Sequence, residues 1–523
     1  MNVLINCNEK TTPNKLTADI CIIGSGPAGL TLARTLIEQN KTVIFIERGS
    51  KFATKPPQRP ISFKADHYDG IHNGLAFGFG GTGALWGGQL LPMLDVELYE
   101  LGHPWSSEAF INQLREHSQI VEEWVGVSTT SYQSSLLDLI NHPAANLKWG
   151  GFTPLLSKWI PFSRRNISSD WLKLFENSKK VQVLLNAMPD NWGFVDNDKK
   201  SIKNVTCRSA NGHLITVEAT NFIVAAGALE SPLILEKLLG LNASEHLMVG
   251  NYLHDHLSLR IAEISNYSRI EFERLFTSFF TGTTMRSLRL CLSKPINHSK
   301  DDIDWSYCHF VIEAPEDSGF AVARDILRGL QAKNYHGVFI SLFKLPLAMR
   351  DIIRMLWLRY IKQQLAISKD SKIFVNVDFV KMPALNNYIT QSNTDEITIN
   401  WIIKENLKEQ VELAFATLQS FWLENNLQHV GEIKKIECPL DRKKAIENIY
   451  DIYHPAGTCA MGRVVDSDLR IIGLSNCFVI GSSVFPKLGR SNPTLTIMAL
   501  SRRLGITLIN LINDNKQSTK TTS

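Results

Sequence analysis

No cysteine in this chain is spaced to pair with another. The eight cysteines (Cys7, Cys21, Cys207, Cys291, Cys308, Cys438, Cys459 and Cys477) are scattered without a CxxC pattern, several inside apolar runs. They read as free buried thiols in a reducing compartment, so a cytoplasmic location is expected. Residues 1–7 have no basic segment, and their apolar run is too short for a signal peptide or a membrane span. A net charge of +4 over 523 residues makes no electrostatic case for nucleic acid. Walker A, HExxH and GxSxG patterns are missing, which leaves phosphoryl transfer and hydrolysis without support. There is no internal repeat and no long low-complexity segment, and only residues 513–523 read as disordered.

What is present is ordinary globular composition, 44% hydrophobic and 20% charged, long enough for two domains. The apolar run 18–23 reads as a buried parallel strand ending in Gly24-Ser25-Gly26-Pro27-Ala28-Gly29. A helical pattern through Leu30, Ala33, Leu36 and Ile37 follows, then a second apolar strand, 42–46, ending in Glu47. This is a complete β-α-β unit. Gly24 permits the turn, Gly26 lets backbone approach a pyrophosphate, Gly29 allows close helix packing, and Glu47 is placed to accept from a ribose diol. The helix N-terminus offers unpaired N–H groups to phosphate. The unit predicts dinucleotide binding and does not separate FAD from NAD.

Further pieces of the same fold lie along the chain. Strands are expected at 181–186, across 205–217 with turns at 196–198 and 211–212, and at 221–226, where small residues lead into an apolar helix, 233–239. A last strand, 476–481, precedes a helix from Pro493 to about Ile512. The segment 78–88 carries glycine at a density that points to close backbone approach, and it includes Trp86, which a plain flexible loop would not. Near the C-terminus, His454 lies in Tyr453-His454-Pro455-Ala456-Gly457-Thr458-Cys459 and Asn492 in Gly489-Arg490-Ser491-Asn492-Pro493. Cys459 reads as a small buried packing residue. Asn492 before Pro493 and a long apolar-periodic helix reads as an N-cap with proline at the first helical position.

These elements, in this order, resemble the glucose-methanol-choline (GMC) family of FAD-dependent oxidoreductases over essentially the whole length. The matching residues are Gly24 to Gly29 with Glu47, Gly80-Gly81-Thr82, Ala225-Ala226-Gly227 with Ser231-Pro232, Val249-Gly250-Asn251 with Asp255-His256, His454 with Gly457-Thr458-Cys459 and Met461-Gly462, and Asn492-Pro493. The resemblance implies an α/β fold (α+β overall). A Rossmann-like FAD-binding domain (1–90, 181–264 and 451–523) would be interleaved with an antiparallel-sheet-plus-helices substrate-binding domain (91–180 and 265–450). It implies FAD contacts from Gly24, Gly26, Pro27, Ala28, Gly29, Glu47, Arg48, Gly80, Gly81, Thr82, Trp86, Ala226, Gly227, Gly481, Ser482, Asn492, Pro493 and Thr494. Gly481, where most members carry Asp, and Trp86 look more like the pyranose oxidase and sugar dehydrogenase side. Leu85 aligns with the histidine that tethers flavin in some members, which implies non-covalent FAD.

The chemistry follows from the residue types. Oxidising an alcohol removes a hydroxyl proton and a carbon-bound hydride, and a neutral imidazole is a suitable acceptor for the proton. His454 is the expected base, with hydride passing to flavin N5, and Asn492 its partner in orienting substrate oxygen. The substrate expected is a sugar, polyol or amino-sugar hydroxyl; oxygen, a quinone or a protein remain open as electron acceptor. A non-redox lyase of the hydroxynitrile type and a flavin-binding protein without turnover are the alternatives. His254-Asp255-His256 has no further ligands near in sequence, so no metal is expected; the family turn it matches implies a structural bridge between domains. The stretch 342–362 is basic, apolar and helical in period, and reads as a solvated or domain-covering helix, as a peripheral contact with an anionic membrane, or as a dock for an electron-accepting partner.

Overall fold

A computed structural model describes residues 3–9, 12–195, 197–240, 245–293, 296–297, 303–304, 306–331, 335–391, 396–403, 407–437 and 450–521. Cys438 and position 196 of the expected 196–198 turn lie outside them. The architecture is mixed α/β, built on two large sheets.

The first sheet forms because apolar runs buried on both faces must pair in parallel under covering helices. Its order is Leu4–Asn6, Val181–Leu185, Val43–Glu47, Lys15–Ile23 and Leu214–Val224, all parallel, with Cys477–Val479 also parallel to the last. The antiparallel pair Ile202–Ser209 and Ala187–Phe194 extends it. Helix Pro27–Glu38 makes the crossover, and the C-terminal helix Thr494–Thr521 packs on it with Leu495, Met498, Leu500, Leu504 and Leu508 buried. The backbone of 513–521 continues that helix rather than lying disordered, whereas 522–523 are outside the described residues.

The helix expected at 233–239 begins six residues earlier, spanning Gly227–Leu239 with Pro232 inside it. A proline there removes one N–H and leaves the carbonyl four residues back without its helical donor. That carbonyl, Ala228 O, accepts instead from Thr458 Oγ1 at 2.6 Å. The same bond ties the His454 segment to this helix.

The second sheet runs Glu432–Lys435, His256–Ser265, Lys372–Val380, Ser306–Glu313, Thr284–Leu292, Phe152–Trp159 and Gln89–Leu90, antiparallel throughout. It includes Gln89–Leu90 and His256–Ser265, which the expected division gives to the FAD unit, because both strands complete their ladders only here. Period-two alternation sorts its residues. Leu259, Val375, Val377, Cys308, Leu288 and Leu290 face a core shared with Phe276, Phe421 and Trp422. Ser258, Arg260, Asn376, Asp378, Tyr307, His309 and Arg289 fall on the opposite face, with Ser258 paired to Asp378 and Arg260 to Asn376.

Candidate active site

Between the sheets, a cavity of about 420 Å³ lies over the ends of the parallel strands. Three helices begin on its wall, at Pro27, Gly227 and Thr494, each presenting unpaired first-turn N–H groups and a positive dipole end. Such convergence suits a pyrophosphate. A side chain at Gly26 or Gly227 would meet no protein atom within 4 Å, so both backbones open onto the cavity and leave room for a flat ligand. The residues present therefore fit a dinucleotide such as FAD.

Of the expected contacts, Gly24, Gly26, Pro27, Ala28, Glu47, Arg48, Gly81, Thr82, Ala226, Gly227, Gly481, Ser482, Pro493 and Thr494 line this cavity, as does His454. Gly29 lies beneath it, where a Cβ would meet Gly24 O at 2.3 Å. Gly80 and Trp86 stand off the wall. The Trp86 indole N–H donates to Arg165 O at 2.7 Å, and a Cβ on Gly80 would meet Ser168 at 2.6 Å. Glu47 differs from expectation. Its carboxylate accepts from Ser25 N, Ser25 Oγ, Gly49 N and Gly78 N at 2.6 to 3.1 Å, so its acceptor positions are taken by the chain. It organises the glycine loops instead of waiting for a ribose. Arg48 pairs with Glu230, also on the wall, at 2.9 Å.

A second cavity of about 440 Å³ adjoins at His454 and is floored by the polar face of the second sheet. His454 lines both. Asn492 lines the second cavity, with its Oδ1 buried and unpartnered. The cap expected of it is not made: the helix starts at Thr494, with Ile497 N donating to Pro493 O, and the amide is left facing the cavity.

The histidine geometry fixes proton positions. His256 Nε2 faces Gly489 O at 2.7 Å, so it carries hydrogen and donates. A neutral His256 then has a bare Nδ1, 3.0 Å from His454 Nδ1. His454 Nδ1 must donate to it, which leaves His454 Nε2 unprotonated. Burial, reinforced by the neighbouring His256, pushes His454 down to about 3, and burial also lowers His256. Both rings are neutral near neutral pH. Asp255 supports the pair through its Oδ1, which accepts from His256 N and His454 N at 2.7 Å each, while Tyr68 donates to Oδ2 at 2.6 Å. His256 is therefore more than the domain bridge expected from the sequence, since its ring accepts the hydrogen bond donated by His454 Nδ1.

Farther into the second cavity, Arg289 is buried, with Nε and Nη1 unpartnered and Nη2 on Gln89. Asp378 has a buried, unpartnered Oδ1. Burial would raise its carboxyl, but His309 and Arg289 nearby hold it below the usual carboxylate range. Burial pushes His309 down to about 4. The sequence did carry a trace of this pair, since Arg289 and Asp378 each interrupt an apolar strand run. Among the described residues no cluster of His, Cys, Asp or Glu could hold a metal.

Comparison with known proteins agrees with this layout. Family models described as GMC oxidoreductase match residues 163–258 and 383–501. Local similarity reaches 47% over 51 residues with the neither inactivation nor afterpotential protein G of Drosophila melanogaster, covering 10% of this chain and 9% of that protein. It reaches 52% over 40 residues with the pyridoxine 4-oxidase of Microbacterium luteolum, covering 7% of this chain and 8% of that one. The matched segments thus span under a tenth of either relative. In fold the likeness is far wider: a crystal structure of pyridoxine 4-oxidase from Mesorbium loti superposes with a TM-score of 0.57 at 15% identity, over 94% of this chain and 99% of that one. The chain thus carries, in order, segments that match the N-terminal and C-terminal GMC oxidoreductase family models, on a fold shared end to end with that structure.

Proposed function

We infer that this protein is an FAD-dependent oxidoreductase that converts an alcohol to a carbonyl, with His454 as the base. The observation that carries this reading is the position of His454 on both cavities, with Nε2 unprotonated and without a partner among the described residues. FAD, when bound in the first cavity, supplies the hydride acceptor. The chain supplies the rest. His454 Nε2 takes the hydroxyl proton, and the resulting charge is shared along the line His454–His256–Gly489 O. The Asn492 amide, at the mouth of the long C-terminal helix, orients the substrate oxygen where the helix dipole favours developing negative charge. Leu85 has no nucleophilic atom, which supports an untethered cofactor.

The second cavity supports a polyhydroxylated substrate, a sugar, polyol or amino sugar. Arg289 donates and Asp378 accepts from the same floor, so together they match hydroxyls that do both, and an ammonium would suit Asp378 as well. The test is anaerobic mixing of the FAD-loaded protein with a panel of sugars, polyols, amino sugars and simple alcohols, followed by air. Bleaching of the yellow flavin is expected with the polyhydroxylated members, and His454→Ala should slow it by about a hundredfold or more while FAD stays bound. Carbonyl release without bleaching would favour a lyase instead, and normal reduction by His454→Ala would overturn the assigned base.

A further inference from the structure

The helical hairpin Gly319–Gln331 and Tyr335–Trp357 presents a face that is left exposed among the described residues. Its second helix turns Val338, Ser341 and Ala348 inward at helical spacing, where the first helix buries Ala321 and Val322. The outward side carries Phe339, Phe343, Leu347, Ile353, Trp357 and, one turn on, Tyr360. Leu347 is 92% exposed and Phe343 71%. Isolated apolar residues on a surface need no account, but a continuous run of this size marks a binding face.

Charge says what covers it. Residues 319–362 hold eight Lys and Arg against two Asp, a net +6 in a chain whose total is +4, so the remainder of the protein is slightly acidic. Both acids are engaged: Asp351 Oδ2 accepts from Gly319 N at 3.1 Å and Asp325 pairs with Arg324 at 3.0 Å. Lys344 and Arg350 project beside Phe343 and Leu347, and Lys362 lies 5.5 Å over the Trp357 ring. Apolar side chains bordered by Lys, Arg, Trp and Tyr are the composition of a helix lying in a bilayer interface. The hairpin is also tied to the body: Arg354 pairs with Glu273 of helix Arg269–Phe276, and just beyond the hairpin Thr277 Oγ1 donates to Leu365 O at 3.0 Å.

We propose that this hairpin docks the protein on an anionic phospholipid bilayer, with Phe343 and Leu347 entering the acyl boundary and Lys344, Arg350 and Lys362 meeting headgroup phosphates. A second copy of the chain is disfavoured as occupant, because a two-fold contact would set the Lys344, Arg350 and Lys362 of one face against those of another. Anionic lipid neutralises that charge and has no fixed shape to match. The inference is independent of the alcohol chemistry.

The experiment is flotation of the FAD-loaded full-length protein with vesicles of phosphatidylcholine alone or containing about one third phosphatidylglycerol, with sedimentation velocity run without lipid. The wild type is expected to float with the anionic vesicles and to bind neutral ones at least about tenfold more weakly, the difference shrinking at high salt. Phe343→Glu with Leu347→Glu should lose binding by a similar factor while keeping FAD absorbance. If that variant loses FAD or fails to fold, Lys344→Glu with Arg350→Glu, at two exposed positions, replaces it with the same expectation. Flotation equal to wild type by the folded variant, or a wild type that ignores both vesicle types, overturns the proposal. So does a lipid-free dimer that these substitutions dissociate, which would assign the face to a second copy.

Discussion

The reactive edge of His454 depends on a proton it must hold elsewhere. His256 accepts that proton at Nδ1 only because its own Nε2–H is committed to Gly489 O, so each bond decides the next. Replacing His256 with Leu removes the acceptor, frees both tautomers of His454 and leaves its Nδ1–H unsatisfied. We expect flavin reduction to fall by about tenfold to a hundredfold with FAD retained, since general-base effects are of order 10²–10⁴ and only part is lost. His256→Gln, whose amide oxygen can accept from His454 Nδ1, should recover much of that rate. Stopped-flow reduction of the two variants decides: equal impairment would mean that His256 acts through packing alone.

The element that holds Gly489 is the short helix Asp95–Glu100. Glu97, almost fully buried, accepts from Leu94 N and Arg490 N at 2.8 Å and from Arg490 Nε at 2.9 Å, while Arg490 Nη1 donates to Leu292 O. A residue from the 91–180 insertion thus anchors the loop whose carbonyl orients His256. Glu97→Ala leaves a buried guanidinium without its counter-ion, a loss of about 3–5 kcal/mol. Urea unfolding should show that loss, and the folded fraction should reduce flavin more slowly than wild type. Unchanged stability would sink the assignment of this pair as the loop's anchor. A comparable tie at the other end, Thr458 to Ala228 O, explains how the Gly227–Leu239 helix accommodates Pro232.

Across the molecule, several histidines are buried neutral. Burial pushes His254 to about 3 and His117 and His309 to about 4, from an ordinary value of 6.5. Their folded values are depressed, so below pH 6.5 the unfolded chain takes up protons that the folded one refuses. Stability is full above about pH 6.5 and declines as pH falls toward 4. At pH 5 each such group contributes a loss on the order of 2 kcal/mol. Thermal melts at pH 7 and 5 should differ by many degrees, and a midpoint unchanged between them would contradict these buried neutral rings.

How much of this was legible in the chain follows from how local each feature is. The turn from Gly24 to Gly29, the strand before it and Glu47 after it lie within one β-α-β unit, where glycine positions and apolar runs alone dictate backbone shape. The strands and the dinucleotide cavity therefore fell close to expectation. Glu47 departed from its expected role because Gly78, from a separate loop, takes part of its carboxylate, and Asn492 because its amide faces a cavity instead of capping. Arg289, Asp378 and Tyr307 are not legible as a site because they belong to three strands, far apart in sequence, that meet only through antiparallel register. The exposed face of 335–357 was half legible: period and charge could be read, but exposure depends on what packs nearby. His454 could be named from its segment alone. Its protonation, its neighbour His256 and its place between two cavities arose when segments two hundred residues apart closed on one another, since hydrogen bonds and burial act through space and leave no spacing in the chain.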